Sequence, residues 1–129
     1  MRKIMIVDDD PDVRISVKQA LEYYCSDYKV ICVESGNICY KMLRNNEIPD
    51  LILLDIMMPG MSGWMLTDRL KENSSWKDIP IVFLTARWDK FAEELGRKLG
   101  VDYIKKPFDI EDLKKRIDKI LRRCSLKSS

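Results

Sequence analysis

The chain has 129 residues, 46% of them hydrophobic and 34% charged, with a formal net charge of +2. This balance is that of one globular domain with a single proper core, and it argues against a disordered segment or a strong, non-specific affinity for nucleic acid. No apolar stretch approaches the roughly 18 residues of a membrane span and no signal peptide opens the sequence, so no membrane contact and a cytoplasmic location are expected. The sequence holds no histidine, which excludes a histidine kinase, a histidine phosphotransfer domain and a Ser-His-Asp hydrolase. Cys25, Cys32, Cys39 and Cys124 contain no C-x-x-C spacing; they are expected to be small buried hydrophobes in a reducing compartment.

In chain order, the apolar run Lys3-Ile4-Met5-Ile6-Val7 reads as a strand ending in Asp8-Asp9-Asp10. Pro11-Asp12 opens a helix whose apolar face is Val13, Val17, Ala20, Leu21 and Tyr24. Residues 28–33 form a second strand, followed by a helix over about 37–44 carrying Ile38, Met42 and Leu43. Leu51-Ile52-Leu53-Leu54 is a third strand ending at Asp55. Pro59-Gly60-Met61-Ser62-Gly63 makes a loop, and a helix from about Trp64 reaches Lys71 or Glu72, where Asn73-Ser74-Ser75 breaks it. Ile81-Val82-Phe83-Leu84 is a fourth strand ending at Thr85. Trp88, Phe91, Ala92, Leu95 and Leu99 fit a helix closed by Gly100 in the usual C-terminal manner. Tyr103-Ile104-Lys105 is a fifth strand ending at Lys106-Pro107. A last helix starts at the N-cap Asp109 and buries Ile110, Leu113, Ile117, Ile120 and Leu121. The domain is expected over residues 2–123, with 124–129 a short loose tail.

Strand and helix alternate five times, which implies an α/β fold: a parallel sheet with right-handed crossovers and helices on both faces. Ligands of such sheets bind outside the carboxyl ends of the strands. Those ends carry Asp8, Asp9, Asp55, Thr85 and Lys106. Crowded carboxylates raise one another's pKa or demand a cation, and hard oxygen ligands favour Mg²⁺ completed by phosphate. A strand-end carboxylate can attack phosphorus to give an aspartyl phosphate, while Lys106 neutralises charge and Thr85 donates to a phosphoryl oxygen. Taken singly, each residue has a plainer explanation as an N-cap, a turn aspartate, a strand-end threonine or a solvated lysine. Together, on correctly ordered strand ends, they make a constellation.

Val7-Asp8-Asp9-Asp10, Leu54-Asp55 through Gly63, Phe83-Leu84-Thr85-Ala86 and Asp102 through Phe108 resemble the receiver domain of two-component response regulators. The resemblance covers residues 2–123 and implies a flavodoxin-like doubly wound sheet of order 2-1-3-4-5. It implies Asp55 as phosphoacceptor. Asp9 would ligate Mg²⁺ directly, Asp8 largely through water, with Asp55 and the Met57 backbone carbonyl completing the protein ligands. Thr85 and Lys106 would bind phosphoryl oxygens, Lys106 preceding a proline commonly cis in the family, and Ala86 would leave room beside the phosphoryl group. Tyr103 matches the aromatic that swings inward as the threonine moves toward the phosphate, although a core-covering strand tyrosine is the plainer reading of that residue.

The implied partners are a histidine kinase or histidine phosphotransfer protein acting in trans, and a downstream effector or fused output domain. A homodimer formed on phosphorylation is also open, and direct nucleic-acid binding is not expected. The expected output surface is the fourth helix, fifth strand and fifth helix, about residues 87–123. There Lys114, Lys115, Arg116, Lys119, Arg122 and Arg123 are either solvated surface or partner contacts. Ser62 stands where the family often has aspartate, and Met57 with Arg87 would shield an acyl phosphate and slow its hydrolysis. Three alternatives remain: a receiver cut from a longer protein, a phosphatase with a strand-one nucleophile in Asp8-x-Asp10, and an interaction module that works without phosphorylation.

Overall fold

The computed structural model describes residues 1–86 and 90–128, with the backbone alone at Phe91 and residues 123–128. Five strands alternate with five helices: β1 (Arg2–Val7), α1 (Pro11–Tyr24), β2 (Tyr28–Val33), α2 (Gly36–Arg44), β3 (Leu51–Leu54), α3 (Gly63–Glu72), β4 (Ile81–Thr85), α4 (Lys90–Leu99), β5 (Asp102–Lys105) and α5 (Ile110–Ser128). All strand pairs are parallel and the sheet order is β2-β1-β3-β4-β5. Among the described residues no helix is long and apolar enough to cross a membrane.

The strands' burial follows their place in the sheet. Ile4–Val7, Leu51–Leu54 and Ile81–Thr85 are buried without interruption, as required of strands covered on both faces, whereas the edge strand β2 alternates. Alternate side chains feed two half-cores. Met5, Val7, Ile52, Leu54, Phe83 and Tyr103 pack with Cys39 and Leu43 of α2 and Leu66 and Leu70 of α3. Ile4, Ile6, Leu51, Leu53, Val82 and Ile104 pack with Val17 and Leu21 of α1 and Leu113, Ile117 and Leu121 of α5.

Caps set where the helices begin. Asp10 accepts from the Asp12 N–H at 2.9 Å, Ser35 from Ile38 at 3.2 Å and Asp109 from Glu111 at 2.8 Å. Several expectations about faces need correction. Tyr24 is 47% exposed, because it stands in the last turn of α1, where the chain is leaving the sheet. In α2 the buried stripe runs through Gly36, Cys39 and Leu43, the i, i+3, i+7 row, which turns Ile38 outward. Gly100 does not close α4 by a left-handed residue, since Gly60 is the positive-φ glycine among those described. A Cβ at Gly100 would instead lie 2.6 Å from the Ile81 carbonyl oxygen, so close approach explains that glycine. Arg87, Trp88 and the Phe91 side chain lie outside the described residues. α5 continues through residues 124–128, the segment expected to be a tail.

The cysteines also divide: Cys39 is buried, Cys25 half-buried and Cys32 exposed on the edge strand, contrary to uniform burial. The Cys124 side chain lies outside the described residues. Burial pushes the Cys39 thiol up to about 12. Because only the thiolate alkylates, iodoacetamide at pH 8 should label Cys32 on the native protein and Cys39 only after denaturation. Peptide mass mapping reads the outcome, and native labelling of Cys39 would contradict the packing described.

Candidate functional site

Register places the chemistry. Val7 pairs with Leu54, so the next residues, Asp8 and Asp55, leave the sheet side by side on its carboxyl edge. Leu54 pairs with Phe83 and Thr85 with Lys105, which sets Thr85 and then Lys106 as further steps along the same edge. The backbone continues the ladder there: Asp8 N–H donates to Val33, Asp55 N–H to Val7 and Lys106 N–H to Thr85. The Lys106–Pro107 bond is cis.

One oxygen each from Asp8, Asp9 and Asp55 lies within 4.8 Å of the others, with Asp8 and Asp55 buried and Asp9 exposed. Lys106 Nζ sits 2.6 Å from Asp8 Oδ2 and 3.6 Å from Asp55 Oδ2. Asp8 Oδ1 accepts from the Asp10 N–H at 2.9 Å, and Asp55 Oδ1 from the Met57 N–H at 3.2 Å. Thr85 is completely buried. Burial raises the Asp55 pKa and the Asp8 charge raises it further, against the pull of Lys106 and the Met57 N–H. For Lys106, burial lowers the pKa, but the hydrogen bond to Asp8 and the charge of Asp55 outweigh it and the net shift is upward. Three hard oxygen donors and one ammonium are thus gathered at one shallow edge, the donor set of a small divalent cation with room for phosphate.

Each expected residue has its place. Asp8, Asp9, Asp55 and Lys106 meet directly, and Thr85 lies at the end of the adjacent strand. Met57 is 58% exposed beside the acidic group. Tyr103 is 4% exposed, with its ring turned inward toward Phe83 at 6.5 Å between centroids. Two contributors are not marked by the sequence pattern. Arg14 Nη1 donates to the Asp8 backbone carbonyl at 2.7 Å, holding the β1 end from α1; its spacing resembles that of any half-buried helix arginine. Gly63 admits no side chain, because a Cβ there would lie 2.5 Å from the Asp55 carbonyl oxygen. Its N–H donates to the Ile56 carbonyl at 3.0 Å, folding the loop back against the end of β3. Ser62, where aspartate is frequent, caps α3 by accepting from Met65 at 3.3 Å.

The basic residues of α5 divide between internal pairs and solvent. Lys114 pairs with Asp118 at 2.7 Å, and Arg116 with Asp102 at 3.1 Å and Asp112 at 2.9 Å. Lys115, Lys119 and Arg122 face solvent, and the Arg123 side chain lies outside the described residues.

Mutual repulsion makes the ionised Asp55 costly without a cation. In EDTA at pH 7, Asp55→Asn should therefore stabilise the protein by about 1 kcal/mol, a rise of roughly 3 °C in the melting temperature. Calorimetry measures this directly; a lowered midpoint would mean that Asp55 is a net stabilising partner of Lys106.

Comparison with known proteins identifies the family. The family model described as "Response regulator receiver domain" matches residues 4–118. A "Probable cyclic di-GMP phosphodiesterase" of Vibrio cholerae is 41% identical over 115 residues, covering 88% of this chain and 25% of that protein. The "Phosphate regulon transcriptional regulatory protein PhoB" of Pseudomonas aeruginosa is 38% identical over 123 residues, 95% of this chain and 52% of that protein. The chain spans about half or less of the length of these relatives. Among solved structures, the receiver domain of the Francisella response regulator 1452 superposes with a TM-score of 0.85 at 25% identity, over 96% of this chain and 99% of that one. Vibrio cholerae chemotaxis protein CheY4 gives 0.79 at 26% identity, over 92% and 98%. A match through nearly the whole sheet, in a molecule with this strand order and acidic edge, makes the chain a member of the response regulator receiver domain family.

Proposed function

We propose that this receiver takes a phosphoryl group onto Asp55 from the phosphohistidine of a histidine kinase or histidine phosphotransfer protein, with Mg²⁺, and so switches a partner-binding surface. The observation that carries the reading is the convergence of Asp8, Asp9, Asp55 and Lys106 on one edge. The Asp55 carboxylate oxygen attacks phosphorus as the P–N bond to the donor imidazole breaks. The bonding electron pair stays on the imidazole nitrogen, which then takes a proton. The donor histidine lies outside these 129 residues, which contain none. Asp8, Asp9, Asp55 and the Met57 carbonyl would hold Mg²⁺, which when bound supplies positive charge facing the phosphoryl oxygens. Lys106 supplies a second positive charge, and the Thr85 hydroxyl a hydrogen bond to a phosphoryl oxygen.

An apolar groove of about 600 Å³ opens beside Lys106, between Val13, Val17 and Ala20 of α1 and the segment Pro107, Phe108 and Ile110. Its position next to the reacting edge suits the helix that carries the donor's phosphohistidine. The output face in this reading is α4, β5 and α5. On α5, Lys114 and Arg116 spend their charge on acidic neighbours, while Lys115, Lys119 and Arg122 face solvent. The phosphatase alternative is weakened because the Asp10 carboxylate caps α1.

Incubation with Mg²⁺ and acetyl phosphate should add one phosphoryl group by intact mass, lost in EDTA and in Asp55→Asn. An unmodified wild-type protein would overturn the reading. Hydrolytic turnover that survives Asp55→Asn but not Asp8→Asn would instead identify a phosphatase. The adduct, screened by Met57, should outlast a desalting step; Arg87, the other expected shield, lies outside the described residues. A lifetime of only seconds would contradict that shielding.

A further inference from the structure

Gly96 stands in the interior of α4, where glycine is among the poorest helix formers. A Cβ at this position would lie 2.3 Å from Cδ2, 3.0 Å from Cε2 and 3.4 Å from Cγ of Tyr103. The absent side chain is therefore filled by the tyrosine ring. On the sheet side the ring meets Phe83 at 6.5 Å between centroids, and Phe83 is in turn backed by Trp64 at 5.0 Å. A ring pressed by a methyl group at position 96 has no retreat into the core. One turn further on, Gly100 also approaches closely, since a Cβ there would lie 2.8 Å from Phe83 Cε2. At Gly96 the backbone of α4 thus lies directly against the Tyr103 ring, and at Gly100 the chain just past α4 lies against Phe83.

We propose that Gly96 is the positioning residue for the switch aromatic: the bare face of α4 at Gly96 is the slot that holds Tyr103 inward and ties the ring's rotamer to the seat of α4 on β5. The proposal rests on the reading above, in which Tyr103 changes rotamer with phosphorylation, and it supplies the element that senses the change. When the ring is in, α4 sits closely on it. Any side chain at position 96 drives the ring out or lifts the helix.

The test is a double-mutant cycle with Gly96→Ala and Tyr103→Ala, alone and combined. With Tyr103 present, Gly96→Ala should lower the melting temperature by several degrees. In the Tyr103→Ala background it should raise it, because alanine is then only the better helix former. In protein labelled with 3-fluorotyrosine, with the Tyr103 resonance assigned by Tyr103→Phe, a soluble paramagnetic agent should broaden that resonance in Gly96→Ala and spare it in wild type. An equal rise of the melting temperature in both backgrounds, or a resonance equally protected in both proteins, overturns the proposal. Should Gly96→Ala fail to fold, the combined variant decides: folding supports the slot, and failure there as well overturns it. Intact-mass measurement of the Asp55 adduct separates this from the functional reading, because a wild type without adduct refutes the receiver chemistry while the melting cycle still reports on the slot.

Discussion

The ion pair between Lys106 and Asp8, 2.6 Å long and joining residues 98 apart in sequence, is the contact on which the acidic edge depends. Two carboxylates about 5 Å apart repel by roughly 3 kcal/mol at an effective dielectric near 20. Asp8 and Asp55 both lie at least 95% out of solvent, so water screens that repulsion poorly. One ammonium placed against both is what the protein itself provides. It offsets one negative charge of three, counting Asp8, Asp9 and Asp55, and leaves the edge negative. An edge in that condition favours a divalent cation. The same imbalance that makes the folded protein less stable than it could be makes the site responsive.

Sheet geometry is the cheaper part of the construction. Parallel strands must all end on one side, and the buried runs of β1, β3 and β4 admit no slip in register, because a shift by one residue would exchange the contents of the two half-cores. Once Val7 pairs with Leu54, Asp8 and Asp55 have no choice but to be neighbours. What remains is to keep the loops clear of the edge. Gly63 lets the loop after β3 fold against the Asp55 backbone, and Ser62 starts α3 immediately after it. Arg14 secures the other flank through the Asp8 carbonyl.

This division explains what could be read in the sequence. Strand ends were legible because a completely buried strand leaves a continuous apolar run, and the polar residue that stops it marks the edge. Order 2-1-3-4-5 followed from resemblance, since alternation alone does not select it. Helix faces were legible only where the helix is long. Tyr24 and Ile38, near helix ends, went to solvent because the packed row there depends on the angle at which the helix meets the sheet. Cys32 is exposed because an edge strand has one wet face, which composition does not announce. The roles of Gly63, Gly96 and Gly100 as close approaches, and the pairing of Lys114 and Arg116 with acids, depend on distances between elements and leave no local pattern.

The acidic edge and the face of the sheet under α4 are connected through one side of the sheet. Phe83 and Thr85, two residues apart on β4, point to the same face, and Phe83 pairs in register with Tyr103. Thr85 and Tyr103 are thus diagonal neighbours on adjacent parallel strands. Thr85 sits at the end that would face a phosphoryl group, and Tyr103 sits under α4. In the proposed reading, a shift of Thr85 toward that group and the inward seat of the ring would go together. Coupling of this kind is reciprocal, typically 1–3 kcal/mol between two binding events. In the proposed reading, whatever presses α4 onto an inward Tyr103 would favour the phosphorylated form of Asp55 by the same factor. A partner on the α4 face would then shift that equilibrium without touching the acidic edge.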